Sequence, residues 1–236
     1  MGNWYVGQKQ GEIWGYETYG LFQSEQEIAG AANQDKVSGG IKLMPGDIRF
    51  VDRNNDGVID WGDNTVDNPG DKKIIGNSTP RYHYGINLGA DWKGFDLGIF
   101  FQGVGKRDLY LPGTSFRSHY GSEWQVPSAY NNDYWTEENT GAYFPRARFN
   151  GGSAINQAQT RYMVDASYCR LKSVSIGYTL PKVLTQKASI EKIRIYFTGE
   201  NLFTISDTPD GLDPELDNPY TYPMQRSLSV GLSLTF

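Results

Sequence analysis

Cysteine is almost missing from this sequence of 236 residues, with Cys169 the only one, and histidine nearly so, with two. A single thiol excludes an internal disulfide framework, and two histidines are too few for the His-rich zinc sites of most metalloenzymes. Long apolar runs are missing too. Mean hydropathy is −0.55, and no stretch reaches the roughly 18 apolar residues that a membrane-spanning helix needs. Nor is there an excess of positive charge: 22 basic against 27 acidic residues leave no electrostatic footprint for a phosphate backbone, so nucleic acid is not an expected partner. What is plentiful is glycine, at 28, and aromatic residues, with 16 tyrosines, 11 phenylalanines and 6 tryptophans. Glycine weakens helix interiors and aromatics favour pleated surfaces, so the composition points to an all-β chain.

The order of residues supports this. From Arg226 to Phe236, Leu228, Val230, Leu232, Leu234 and Phe236 alternate with Ser227, Ser229, Gly231, Ser233 and Thr235, a strict period of two. Arg81–Trp92 repeats the pattern, with Tyr82, Tyr84, Ile86, Leu88, Ala90 and Trp92 on the apolar face. Phe95–Gly103, Lys172–Leu180 and Glu191–Gly199 follow it, and Glu12–Phe22 is a sixth candidate with ambiguous facing. Such strands suit either half of a β-sandwich or a section of barrel wall. Ten residues at ~3.3 Å each, tilted by ~40°, rise roughly 25 Å along a barrel axis, the height of an outer-membrane apolar band. The polar faces carry Gly, Ser, Thr and Asn where a soluble sheet would carry Lys and Glu, as a wall lining a wet or plugged lumen requires.

Connection lengths supply sidedness. The links around Lys93-Gly94 and Pro181 are short, whereas 24–79, 106–167 and 202–225 are long, polar and crowded with Gly, Pro, Asn and Asp. Outer-membrane barrels place short turns in the periplasm and long loops outside, and with Phe236 taken as periplasmic every link falls on the expected side. A handful of strands cannot close a transporter-sized barrel, and Met1-Gly2-Asn3-Trp4 begins no export signal, so the expectation is a fragment.

The aspartates gather in one place. Between 47 and 71 stand Asp47, Asp52, Asp56, Asp60, Asp63, Asp67 and Asp71 against Arg49 and Arg53, which accounts for the whole net charge of −5. Asp52-Arg-Asn54-Asn-Asp56-Gly57-Val58-Ile-Asp60-Trp-Gly-Asp63 follows the twelve-residue calcium-loop pattern. Asp52, Asn54 and Asp56 would give side-chain oxygens, Val58 its carbonyl, Asp60 a direct or water-mediated contact and Asp63 the last carboxylate. The expectation is a structural Ca²⁺ in a loop without flanking helices; the alternative is a solvated Asx-Gly turn. In 106–167, Trp124, Tyr134, Trp135 and Arg146 are candidate substrate or partner contacts, since aromatic planes and guanidinium groups can stack on and hydrogen-bond sugar rings; packing of the loop is the competing role. No catalytic residue is assigned. Glu123 and Glu137-Glu138 fix no carboxylate separation, and Gly103-Val-Gly-Lys106 lacks the first glycine and the Ser/Thr of a phosphate loop.

Several blocks together resemble the SusC/RagA family of TonB-dependent outer-membrane transporters. They are Gly15-Tyr-Glu-Thr-Tyr-Gly-Leu-Phe-Gln-Ser24, Gly46-Asp-Ile-Arg-Phe-Val-Asp-Arg-Asn-Asn-Asp-Gly57, Ile75-Gly-Asn-Ser-Thr-Pro-Arg81, Tyr134-Trp-Thr-Glu-Glu-Asn139, Glu200-Asn-Leu-Phe203, Asp213-Pro-Glu215 and Tyr222-Pro-Met-Gln-Arg226. The resemblance covers nearly all of residues 1–236. It implies that antiparallel strands form the C-terminal section of a 22-stranded transmembrane β-barrel with long extracellular loops at 24–79 and 106–167. It also implies a SusD-like surface lipoprotein as partner, TonB engaged through an N-terminal region that is absent here, outer-membrane lipid around the wall, and import of oligosaccharide or peptide. The competing reading of the residues is a secreted calcium-binding β-sandwich that recognises glycans.

Overall fold

A computed structural model describes residues 4–110, 133–148, 152–186, 189–209, 212–216 and 221–236. Two compact units divide the chain: 1–79 with 109–164, and 80–108 with 165–236.

The second unit is a sheet of antiparallel strands. β5 (His83–Trp92), β6 (Phe95–Val104), β9 (Tyr168–Thr179), β10 (Lys192–Glu200) and β12 (Ser227–Thr235) lie in the order β12-β10-β9-β6-β5. A short β11 (Thr204–Ser206) pairs with the first residues of β9, opposite Arg170, Cys169 and Tyr168. The period-two segments become the strands. Lys93 and Gly94, at φ 48° and 91°, form the two-residue turn between β5 and β6, the primed geometry that matches strand twist. Register carries each face across the sheet. Ala90, Leu97, Ile176, Phe197 and Val230 form one apolar row; Gly89, Gly98, Ser175, Thr198 and Ser229 form a polar row on the other face.

The apolar face is exposed among the described residues. Ile176 and Phe197, on strands paired on both sides, are 47% and 38% exposed, and Val230 is 78% exposed. Among the described residues no second sheet packs on it, contrary to what a sandwich requires. The sheet is open, with β5 and β12 as its edges. On the polar face the Arg194 guanidinium reaches across β9 and binds the Asp96 carboxylate through two nitrogens. The pair crosses over Gly177, where a Cβ would lie 2.5 Å from both Asp96 Oδ1 and Arg194 Nη2. Any side chain there would displace the ion pair.

The first unit has a conventional core. β1 (Glu12–Tyr16) pairs β4 (Lys72–Asn77), and β2 (Thr18–Leu21) pairs β3 (Ile48–Phe50). Two short helices, α1 (Glu25–Ala29) and α2 (Asp35–Ser38), follow β2; a third, α3 (Lys182–Thr185), belongs to the second unit, in the link between β9 and β10. Tyr16, Phe22, Val37, Ile48, Ile59 and Tyr162 are fully buried in this unit. The expected strand Glu12–Phe22 is therefore corrected: it breaks into β1 and β2, each irregular in register, and neither joins the large sheet. Leu21 and Phe22, neighbours on opposite faces, are both buried, and Glu17 interrupts the strand, which is why its facing is ambiguous. A last pair, β7 (Asp108–Tyr110) with β8 (Met163–Asp165), completes the strands. The described parts of 24–79 and 133–164 thus build a packed unit of their own.

Candidate functional site

Three features concentrate polar chemistry. The first is a groove of about 360 Å³ lined by Tyr134, Trp135, Thr136, Glu137, Glu138, Arg146 and Ala147. Its frame is a tight turn: the Asp133 carboxylate accepts from Asn139 Nδ2 and from the Tyr143 N–H, both at 2.9 Å, and these bonds hold its pKa below the usual value. Trp135 is 3% exposed, donates from Nε1 to Gln23 Oε1 at 3.2 Å, and carries the Arg146 guanidinium 5.0 Å from its ring centroid. Arg146 also reaches the Pro45 carbonyl at 3.4 Å, and Glu137 stands 3.9 Å away. The structure brings together Tyr134, Trp135 and Arg146; Trp124 lies outside the described residues. Tyr134 is 37% exposed at the mouth, whereas Trp135 and Arg146 spend most of their surface on packing.

The second is the aspartate-rich loop. Asp52 Oδ2 accepts from the Gly57 N–H, Asn54 Oδ1 from the Asp56 N–H and Asp56 Oδ1 from the Val58 N–H, at 2.8, 3.1 and 2.8 Å. These bonds curl the loop, and Asp52 Oδ1 is buried without a hydrogen-bond partner. That orphaned oxygen fits a cation ligand. Asp60 and Asp63 are engaged elsewhere. Asp60 takes the Lys36 ammonium at 2.7 Å and the Gly62 N–H at 2.8 Å, which lower its pKa, and Asp63 accepts from Asn68 at 2.9 Å. Among the described residues no three His, Cys, Asp or Glu side chains converge into a metal cluster. The carboxylate that ties the loop ends is Asp71, wholly buried, accepting from the Arg53 and Asp60 N–H groups, both at 2.8 Å. The twelve-residue pattern stops short of it, so motif reading misses it. The Tyr16 hydroxyl, buried without a hydrogen-bond partner, is held neutral by that burial and then by the charges of Asp71 and Asp60.

The third is a charge network in the second unit. Arg170, 3% exposed, donates to Thr204 Oγ1 at 2.7 Å, Glu215 Oε2 at 2.6 Å and Asp213 Oδ1 at 2.5 Å. Lys172 adds a bond to Glu215 at 2.9 Å, and Arg107 donates to the Pro214 carbonyl at 3.0 Å. Asp213 Oδ2 in turn accepts the Met224 N–H at 2.9 Å. Burial alone would raise the Asp213 pKa; the bonds from Arg170 and from the Glu215 and Met224 amides outweigh it and lower the value. The Asp213-Pro-Glu215 motif is thereby fastened to β9. Its partners Arg170 and Arg107 carry no local signal of that role.

No family model matches the sequence. It is 31% identical over 248 residues to TonB-dependent receptor P3 of Formosa agariphila, an alignment covering 98% of this chain and 22% of that protein. It is also 29% identical over 194 residues to TonB-dependent receptor SusC of Bacteroides thetaiotaomicron, covering 79% of this chain and 17% of SusC. The chain belongs to the SusC/RagA family of TonB-dependent receptors. Among solved structures this SusC-like chain superimposes on the RagAB peptide transporter with a TM-score of 0.65 at 21% identity, covering 95% of this chain and 23% of the matched one. That likeness shows the shared fold. The SusC-like chain spans less than a quarter of the length of these relatives.

Proposed function

We propose that this chain forms part of the wall of a 22-stranded outer-membrane importer in a Gram-negative bacterium of the Bacteroidota. In this reading the wall, its apolar face in lipid, bounds a lumen through which an oligosaccharide or short peptide passes. A plug elsewhere in the transporter, moved with TonB energy, opens the path. The unit built from 24–79 and the described part of 106–167 lies outside the cell and meets a SusD-like surface lipoprotein, with the groove at Tyr134, Trp135 and Arg146 as contact surface. Calcium, held by Asp52, Asn54, Asp56 and the Val58 carbonyl, would stiffen the loop that Asp71 closes.

The observation that carries the reading is the exposed apolar row on strands paired on both sides, backed by a face of small polar residues. The names of the relatives agree with it, and receptors and transporters give no support to an enzyme. The test is uptake of labelled oligosaccharides and peptides by cells carrying the transporter. Uptake that persists after the proton gradient is dissipated, or after TonB is deleted, would reject it. Calcium is tested separately: limited proteolysis within 47–71 should slow on adding Ca²⁺ and be restored by Asp52→Ala with Asp56→Ala.

A further inference from the structure

Beside the Asp213 network, a pocket of about 360 Å³ is lined by Arg170, Asn201, Phe203, Asp213, Met224 and Arg226, among others. Its charges are unequally matched. Arg170 and Lys172 are committed to Asp213 and Glu215, whereas Arg226 is exposed and has no ion pair or side-chain hydrogen bond among the described residues. The backbone that presents Arg226 is fixed at two points by pocket residues. Asp213 Oδ2 takes the Met224 N–H at 2.9 Å, and Asn201 Nδ2 donates to the Gln225 carbonyl at 3.2 Å. Phe203 and Met224, 42% and 44% exposed, add apolar surface next to the unmatched guanidinium.

We propose that this pocket binds the carboxylate of a solute through Arg226. This rests on the import reading above and narrows it to acidic solutes. The planar fork of a guanidinium matches a planar carboxylate through two hydrogen bonds, the fixed backbone keeps the base of the Arg226 side chain in place, and the apolar walls take the adjoining carbon skeleton. The volume suits one or two units of a peptide or sugar chain. The carboxylate could come from a peptide C-terminus or from an acidic sugar, and the probes separate these sources.

The test is ligand-observed NMR titration of the full chain in detergent micelles, its fold verified by a cooperative melt. The probes are N-acetyl-dialanine, the same peptide amidated at its C-terminus, and galacturonic acid. At least one of the two acids should bind, with the neutral amide about tenfold weaker or more than its parent acid. Binding of the peptide acid alone assigns the peptide source, and of galacturonate alone the sugar source. Arg226→Gln should weaken the bound acid about tenfold, Arg226→Lys should retain part of the affinity, and Arg81→Gln should have no effect. Failure of both acids to bind, equal affinity for acid and amide, or an Arg226→Gln protein that binds like the parent overturns the proposal. Each of these leaves the import reading standing, because no transport is measured.

Discussion

The two units place the same residue types on opposite sides of the surface. In the unit of 1–79 and 109–164, Phe22, Val37, Ile48 and Ile59 are fully buried and the charged groups Asp47 and Asp71 are buried with partners. In the unit of 80–108 and 165–236, Leu88, Ile176, Leu228 and Val230 are exposed, while Arg170, a charged residue, is buried. Monomeric soluble proteins rarely expose an apolar row of this extent, which marks a surface for a membrane or a partner. One chain thus hides its apolar side chains in one unit and displays them in the other, as the proposed importer, with an aqueous unit and a lipid-facing wall, requires.

On the aqueous side Trp135→Ala should cost about 3–5 kcal/mol, seen as faster hydrogen exchange across 133–146; a change below 1 kcal/mol would show that Trp135 is a surface contact and no part of the packing. In the wall unit Arg170→Met should cost about as much, because it leaves Asp213 buried without its cation, and exchange should rise at 204–206 and 213–215. Val230→Arg should destabilise the wall by about 2–4 kcal/mol in a bilayer; a neutral effect would place that face in water.

Acid provides a smaller effect. Because the folded Asp213 pKa is lowered, its contribution is present above the unfolded aspartate value of about 3.9 and is lost as pH falls below that through the lowered folded value. Protection from exchange around 213–215, measured against the intrinsic rate at each pH, should therefore fall below that pH and stay level above it, and Asp213→Asn should abolish the dependence. Smallest of all, Lys36→Ala should change stability by under about 1 kcal/mol, since Lys36 is largely exposed where it meets Asp60.

Local patterns were legible from residues alone wherever a period of two meets a single face. Leu228 to Phe236 and Tyr82 to Trp92 read directly as strands, because each apolar position has a polar neighbour on either side. The start of β9 was less legible. It begins at Tyr168, four residues before the alternating segment, and the ladder slips beside Lys172, so the pattern there is out of phase. Glu12–Phe22 misled because residues on both of its faces are buried. Pairing across long separations was not legible at all. Asp96 meets Arg194 at a separation of 98 residues and Asp213 meets Arg170 at 43, and no property of either residue type selects its partner. Asp71 escaped for the same reason, since a backbone N–H acceptor leaves no spacing rule.

In the proposed importer the apolar face of the sheet lies against lipid. Single fluorescent labels at 228, 229, 230, 231, 232 and 233, in the chain reconstituted with lipid carrying a quencher in its acyl tails, test this most directly. Strong quenching is expected at 228, 230 and 232 and weak quenching at 229, 231 and 233. Uniform quenching by a water-soluble quencher, with no alternation from the lipid-borne one, would contradict it.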